Sequence, residues 1–103
     1  MRATVTTTST DLRSLLSTAG YDTGIIEDNR IKQNNNNNAY GVYISVPSGG
    51  SAVYFENFYE VDASTPTSVA IAADSDFSLD VSDIGNFNLA VASGTQVIDV
   101  VIT

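Results

Sequence analysis

The chain of 103 residues contains no cysteine, no histidine and no tryptophan, and its only basic residues are Arg2, Arg13, Arg30 and Lys32. Each absence removes a class of function. Without cysteine there is no disulfide framework and no thiol nucleophile. Without histidine, the triads and general bases built on imidazole are gone, together with the commonest zinc ligand. What remains for catalysis is carboxylate, serine, threonine and tyrosine, and no cofactor is implied. Four cations are too few for a phosphate-neutralising patch, so nucleic acid is not an expected partner. Twelve acidic residues bring the net charge to −8 and the isoelectric point to about 4.1. That negative field disfavours anionic membranes and makes a basic protein surface the natural complement. No apolar run reaches membrane-spanning length, and Met1 to Ser9 is polar and Thr-rich, without the apolar centre of a signal peptide. Synthesis in a cytoplasm without export by the standard route is expected.

What the chain does have is enough apolar material for one core, with 43% hydrophobic residues and a mean hydropathy of +0.04. A single domain over residues 1–103 is expected. The charged fraction of 16% is low, so Ser, Thr, Asn and small apolar groups must make up much of the surface. A surface of that kind is readily desolvated against a neighbour.

Thr4-Val5-Thr6-Thr7 reads as a leading strand. Ser9-Thr10-Asp11 then offers helix N-caps, Leu12, Leu15, Leu16 and Ala19 recur at helical spacing, and Gly20 stands where a C-terminal glycine belongs. One short helix over about Asp11 to Ala19 follows, its leucine stripe laid across an open end or face of the β core. Beyond Tyr21 the helical period is lost. Ile31-Lys32-Gln33 is a candidate strand, Asn34 to Asn38 a polar turn, and Tyr40 to Val46 a strand with Val42, Ile44 and Val46 on one face. Pro47-Ser48-Gly49-Gly50-Ser51 is a strong turn signal before a strand over Ala52 to Glu56, which predicts a hairpin with Tyr43 beside Tyr54. The segment Asp62 to Thr67, with Pro66, interrupts the pattern. Val69/Ile71, Phe77/Leu79/Val81, Phe87/Leu89/Val91 and Ile98/Val100/Ile102 then form alternating inward sets separated by turn residues. Val97, Asp99 and Val101 are expected outward. Seven or eight short strands with one N-terminal helix make the expected fold mainly β, an antiparallel β-sandwich or jelly-roll-like barrel.

Three groups invite a chemical reading. Asp22-Thr23-Gly24 resembles the catalytic loop of the single-lobe aspartic proteases that dimerise to pair two aspartates. That family needs an apolar strand before the aspartate and a later apolar-apolar-Gly loop, whereas Asp22 here follows a helix and Ile25-Ile26 runs into Glu27-Asp28, so a turn is expected. Asp74, Asp76, Asp80 and Asp83 suggest calcium, but Leu79 and Gly85 occupy the loop positions where an EF-hand places glycine and glutamate. The expected state is a solvated strand face with acidic turns and no metal, a weak calcium site in the flanking loops being the alternative. Asn34 to Asn38 is expected to be a polar loop rather than a sugar-binding patch.

Tyr40, Tyr43, Tyr54, Phe55, Phe58 and Tyr59 concentrate aromatics within a short stretch. Val42, Ile44, Val53 and Phe55 already fill the inward positions, so Tyr43, Tyr54, Phe58 and Tyr59 are the expected interface residues. Ala70, Ala72, Ala90 and Ala92 add small contact points on the outward strand faces. The Thr-rich opening Ala3 to Thr10, the phrase Ile31-Lys32-Gln33-Asn34 before Gly41-Val42-Tyr43-Ile44, and the close Ala92-Ser93-Gly94-Thr95 with Val97 to Thr103 give a chain that resembles small structural proteins of tailed-phage capsids. The resemblance spans most of the chain. It implies a non-enzymatic decoration or cement protein of the virion, a β-sandwich made in the host cytoplasm that binds between major capsid protein subunits, often as a homotrimer. A head–tail joining or tail component is the alternative within the virion. Outside it, the alternative is a carbohydrate-binding module in which Tyr43, Tyr54 and Tyr59 would stack on sugar rings, although the missing tryptophan removes the largest stacking surface.

Overall fold

The structure, a computed structural model, describes residues 1–27, 39–64 and 67–103. The strand expected at Ile31-Lys32-Gln33 and the turn at Asn34 to Asn38 lie outside the described residues. Among those described there are eight strands: β1 (Arg2–Val5), β2 (Thr10–Asp11), β3 (Tyr40–Val46), β4 (Val53–Asn57), β5 (Val69–Ile71), β6 (Ser75–Val81), β7 (Phe87–Val91) and β8 (Gln96–Ile102). Helix α1 (Leu12–Thr18), a helical turn α2 (Thr23–Ile26) and a 3-10 turn at Ile84–Asn86 complete the described elements.

The strands form two four-stranded sheets, ordered β1-β8-β3-β6 and β2-β7-β4-β5. The antiparallel partners β1 with β8, β2 with β7, β3 with β6 and β4 with β5 are the rungs of one long ribbon that turns back between β4 and β5. Pairing of β3 with β8 and of β4 with β7 rolls that ribbon into two facing sheets. This connectivity is the jelly roll, and it makes the expected antiparallel β-sandwich a specific one.

Alternation supplies the core, because strands of period two send every second side chain inward. Along β3, Tyr40, Val42, Ile44 and Val46 are buried while Tyr43 faces out. Phe55 of the second sheet meets Phe77 of the first with ring centroids 4.8 Å apart and Phe87 of its own sheet at 5.4 Å, a tilted cluster that joins the layers. On β8, Ile98 and Val100 are fully buried, Val97 and Val101 are exposed, and Asp99 finds its partner in Arg2, whose Nε lies 2.9 Å from Oδ1.

Helix α1 follows its local signals. Asp11 caps it by accepting hydrogen bonds from the Ser14 backbone N–H and Oγ at 3.0 and 2.7 Å. At the other end Gly20 takes φ 97°, and hydrogen bonds from Tyr21 N to Leu16 O and Gly20 N to Ser17 O close a Schellman motif. Leu12, Leu15 and Leu16 join the core. Ala19, expected in that stripe, is the C-cap and is exposed. The turn α2 was not foreseen beside the single expected helix.

Two further expectations are corrected. β3 and β4 are not a hairpin: the Pro47 to Ser51 turn carries the chain from one sheet to the other, so Tyr43 lies opposite Ser78 and Val101, and Tyr54 opposite Ala70 and Ala90. Val69, expected inward with Ile71, is 56% exposed. It sits at the end of β5, the edge strand of its sheet among the described residues.

Arg13 ties three of the short elements together. From α1 its guanidinium binds Glu27 at the end of α2, and its Nη2 lies 2.6 Å from Oδ1 of Asp83, the cap of the 3-10 turn. These two hydrogen-bonded carboxylates hold the Arg13 pKa above its ordinary value, the Glu27 bond contributing most, against a smaller opposing effect of burial. Gly85 makes room for the guanidinium, since a Cβ there would run into Arg13.

Two stability outcomes follow from this packing. Val100→Ala removes two methyl groups from a fully buried site and is expected to cost about 1–3 kcal/mol in urea unfolding; a loss below roughly 0.5 kcal/mol would place β8 at the periphery. Gly85→Ala is expected to cost about 1 kcal/mol in the parent and at least about 0.5 kcal/mol less in an Arg13→Ala background, because the clash disappears with the side chain. Additive costs would show that Arg13 does not use the Gly85 space.

Candidate functional site

Of the polar groups that suggested catalysis or metal binding, the Asp22, Asp76 and Asp83 carboxylates are engaged in hydrogen bonds within the fold. Asp22 caps α2, its Oδ1 accepting from the Gly24 and Ile25 N–H groups at 3.0 and 3.3 Å, as expected of a turn. The acidic series is spread out. Asp74 sits in a left-handed turn at φ 59°, Asp76 and Asp80 lie on the outer side of β6, and Asp83 belongs to the Arg13 junction. Strand rise puts Asp76 and Asp80 about 13 Å apart along the chain, too far to share an ion. Among the described residues, no three His, Cys, Asp or Glu side chains gather as metal ligands.

The expected interface residues divide between the two outer faces. Tyr43 belongs to the β1-β8-β3-β6 sheet, in a row with Val101 and Ser78. Its hydroxyl donates to Asp76 Oδ2 at 3.0 Å. Beside it Gly41, Tyr43, Ser78, Asp80, Val101 and Thr103 line an open depression of about 410 Å³. Gly41 forms its floor, where a Cβ would meet Thr103 Oγ1 at 2.6 Å. Among the described residues this face carries Asp76, Asp80 and Asp99, with Arg2 as the one basic side chain beside them.

Tyr54, Phe58 and Tyr59 belong to the opposite face. Tyr54 is half-buried between Ala70 and Ala90. Residues 58–64 return over this sheet, held by Phe58 N to Asn86 O at 2.7 Å, Asn88 Nδ2 to Tyr59 O at 2.7 Å and Val61 N to Ser9 Oγ at 2.9 Å. On this side Ala90 of β7 and Ala63 of the returning segment are buried although neither belongs to the main core. Ala90 is therefore not the outward contact point expected of it, whereas Ala70, Ala72 and Ala92 are exposed. Phe58 and Tyr59 stay at the surface, 62% and 73% exposed. Phe58 also takes φ 74°, a left-handed backbone that a bulky residue rarely adopts. Since Tyr43 lies on the far sheet, Tyr43, Tyr54 and Tyr59 do not form one sugar platform.

Sequence reasoning found the exposed aromatics by counting inward positions. It missed the Arg13, Glu27 and Asp83 junction and the pairing of Tyr43 with Asp76. Their separations of 70 and 33 residues leave no local signal. No protein-family model, curated protein or solved structure matches the chain. What the faces do is therefore read from their chemistry.

Tyr40 gives a pH handle on the fold. Burial above all pushes its phenol above the ordinary value of 10.0, aided by the charges of Glu27 and Asp83 and opposed by Arg13, while its hydroxyl donates to Glu27 O at 3.2 Å. Tyr43 is also raised, first by the hydrogen bond it donates to Asp76. A raised folded pKa means the native state binds more protons than the unfolded chain above pH 10. The stabilisation is complete below that pH and is lost as pH rises through the folded value. Thermal melts are expected to fall in midpoint above about pH 10, and Tyr40→Phe to flatten that decline. An unchanged slope in the variant would show that Tyr40 ionises as freely in the fold as out of it.

Proposed function

We propose that the chain is a non-enzymatic structural module that docks by its surface onto a larger, more basic protein assembly, as a decoration or cement protein does on a viral capsid. The observation that carries this reading is the Phe58-Tyr59 pair. Two large aromatic rings are held out into solvent on a loop fastened by hydrogen bonds to Asn86 and Asn88, one of them in a left-handed backbone conformation. In the isolated chain that arrangement leaves apolar surface wet and stores backbone strain. Burial of both rings against a partner offsets these costs, and interfaces concentrate their energy in a few such aromatics. The jelly roll supports the reading only by analogy, since viral capsid and lectin domains both use it. A net charge of −8 adds attraction to a basic partner. Major capsid protein is the partner of choice, a head–tail or tail protein the alternative.

The test is co-sedimentation with the particles of the phage that encodes the chain. Many copies are expected per particle, and Phe58→Ser/Tyr59→Ser is expected to weaken attachment by about 2 kcal/mol or more while its circular dichroism and melting stay parental. Parental attachment of the double variant would remove this loop from the interface.

A further inference from the structure

We propose that the edge of β6, unpaired among the described residues, is a docking edge for an extended, basic strand of the partner, which would continue the β1-β8-β3-β6 sheet by one strand. The inference rests on the adhesive reading above and assigns to it a second, separate surface.

The backbone carries the argument. In an antiparallel sheet each residue turns both its N–H and its C=O to one neighbour, and successive residues turn to opposite sides. Gly41 exchanges two hydrogen bonds of 2.9 Å with Thr103. Along β3, Gly41, Tyr43 and Ser45 therefore serve β8, and Tyr40, Val42, Ile44 and Val46 serve β6. Their partners Val81, Leu79, Phe77 and Ser75 turn inward to β3. Asp76, Ser78 and Asp80 are left with N–H and C=O directed away from the sheet, and β6 is its edge. Among the described residues none bonds to these groups. The other edges are shorter or engaged. On β1, Arg2 N donates to Tyr21 Oη at 3.1 Å, and next to it Thr6 O accepts from Val91 N at 3.0 Å. β2 and β5 have two and three residues.

The side chains choose the occupant. Asp76 and Asp80 flank Ser78 on the outer face, and the hydroxyl of Tyr43 fastens the Asp76 carboxylate. A second copy pairing antiparallel about Ser78 would set Asp76 directly against Asp80 twice, a like-charge pairing that destabilises sheets. A partner strand with Lys or Arg at alternate positions would instead match both carboxylates. Its long side chains would reach over the edge towards the depression lined by Gly41, Asp80 and Val101. Strand addition of this kind takes affinity from main-chain hydrogen bonds and selectivity from alternate side chains.

The experiment uses the full chain and a synthetic ten-residue peptide of alternating Lys and Val, with an alternating Glu and Val peptide as control. Amide hydrogen exchange is expected to slow at Asp76, Ser78 and Asp80 on adding the Lys peptide and not the Glu peptide. Asp76→Asn/Asp80→Asn is expected to weaken binding about 10-fold in fluorescence anisotropy. Ser78→Pro, which removes an outward N–H while keeping both carboxylates, is expected to abolish the protection. Binding that survives Ser78→Pro unchanged would reduce the contact to simple charge attraction and overturn the proposal. So would protection located elsewhere, or dimerisation of the parent through β6 in sedimentation. Should Ser78→Pro fail to fold, the exchange pattern of the parent decides. Because Phe58 and Tyr59 are intact in all of these variants, particle attachment that persists while β6 stays unprotected would overturn strand addition alone and leave the aromatic loop as the binding site.

Discussion

Strand β3 is hydrogen-bonded on both sides, to β6 and to β8, and sends Tyr40, Val42, Ile44 and Val46 into the core. Most other features answer to that constraint. A strand committed on both edges has only its faces left to vary. One is the floor of the sandwich, and the other presents Gly41, Tyr43 and Ser45. A one-residue slip would exchange these sets, burying Ser45 and exposing Ile44, so the register is held by the whole inward set rather than by any turn. Fixing β3 fixes β6 as the sheet edge and places Asp76 within reach of the Tyr43 hydroxyl.

Period two is a local property, and for that reason most strands were legible from the residues alone. Partner choice was not. Neighbouring strands of one sheet stand about 4.8 Å apart and facing sheets about 10 Å, and five turn residues span either distance. Pro47 to Ser51 therefore reads as a hairpin while it joins opposite layers. The same ambiguity explains Val69, which has the alternation of an inward residue but sits at a sheet margin that nothing in its own neighbourhood announces. Ala90 errs the other way. It alternates outward as expected and is buried all the same, on the face to which residues 58–64 are fastened by groups as distant in sequence as Ser9 and Asn88.

The site was legible in part for a related reason. Counting inward positions shows that Tyr43, Tyr54, Phe58 and Tyr59 are surplus to the core, and all four do stand outside it. Which of them share a face depends on the roll of the ribbon, and the roll separates Tyr43 from the other three. Sequence proximity within the aromatic stretch is thus misleading: Tyr43 and Tyr54 are eleven positions apart and on opposite sides of the molecule. The strained backbone of Phe58 had no signature, because nothing in a Phe-Tyr step predicts a positive φ.

Acidic residues on an open edge are ordinarily a safeguard against edge-to-edge aggregation, and Asp76 and Asp80 serve that purpose for any like-charged neighbour. The safeguard is selective rather than absolute. Repulsion between copies at this edge grows with the same charges that would attract a cationic strand, so the proposed strand addition and the avoidance of self-pairing rest on the same two carboxylates. Salt acts on the two effects together, since screening weakens the barrier to self-pairing as it weakens the attraction to a basic strand. The aromatic loop on the other face is subject to neither. Its driving force is desolvation of Phe58 and Tyr59, which salt leaves largely in place. On the proposed reading the edge contact is governed by charge and the loop contact by apolar burial, so the two would respond differently to the same change of salt.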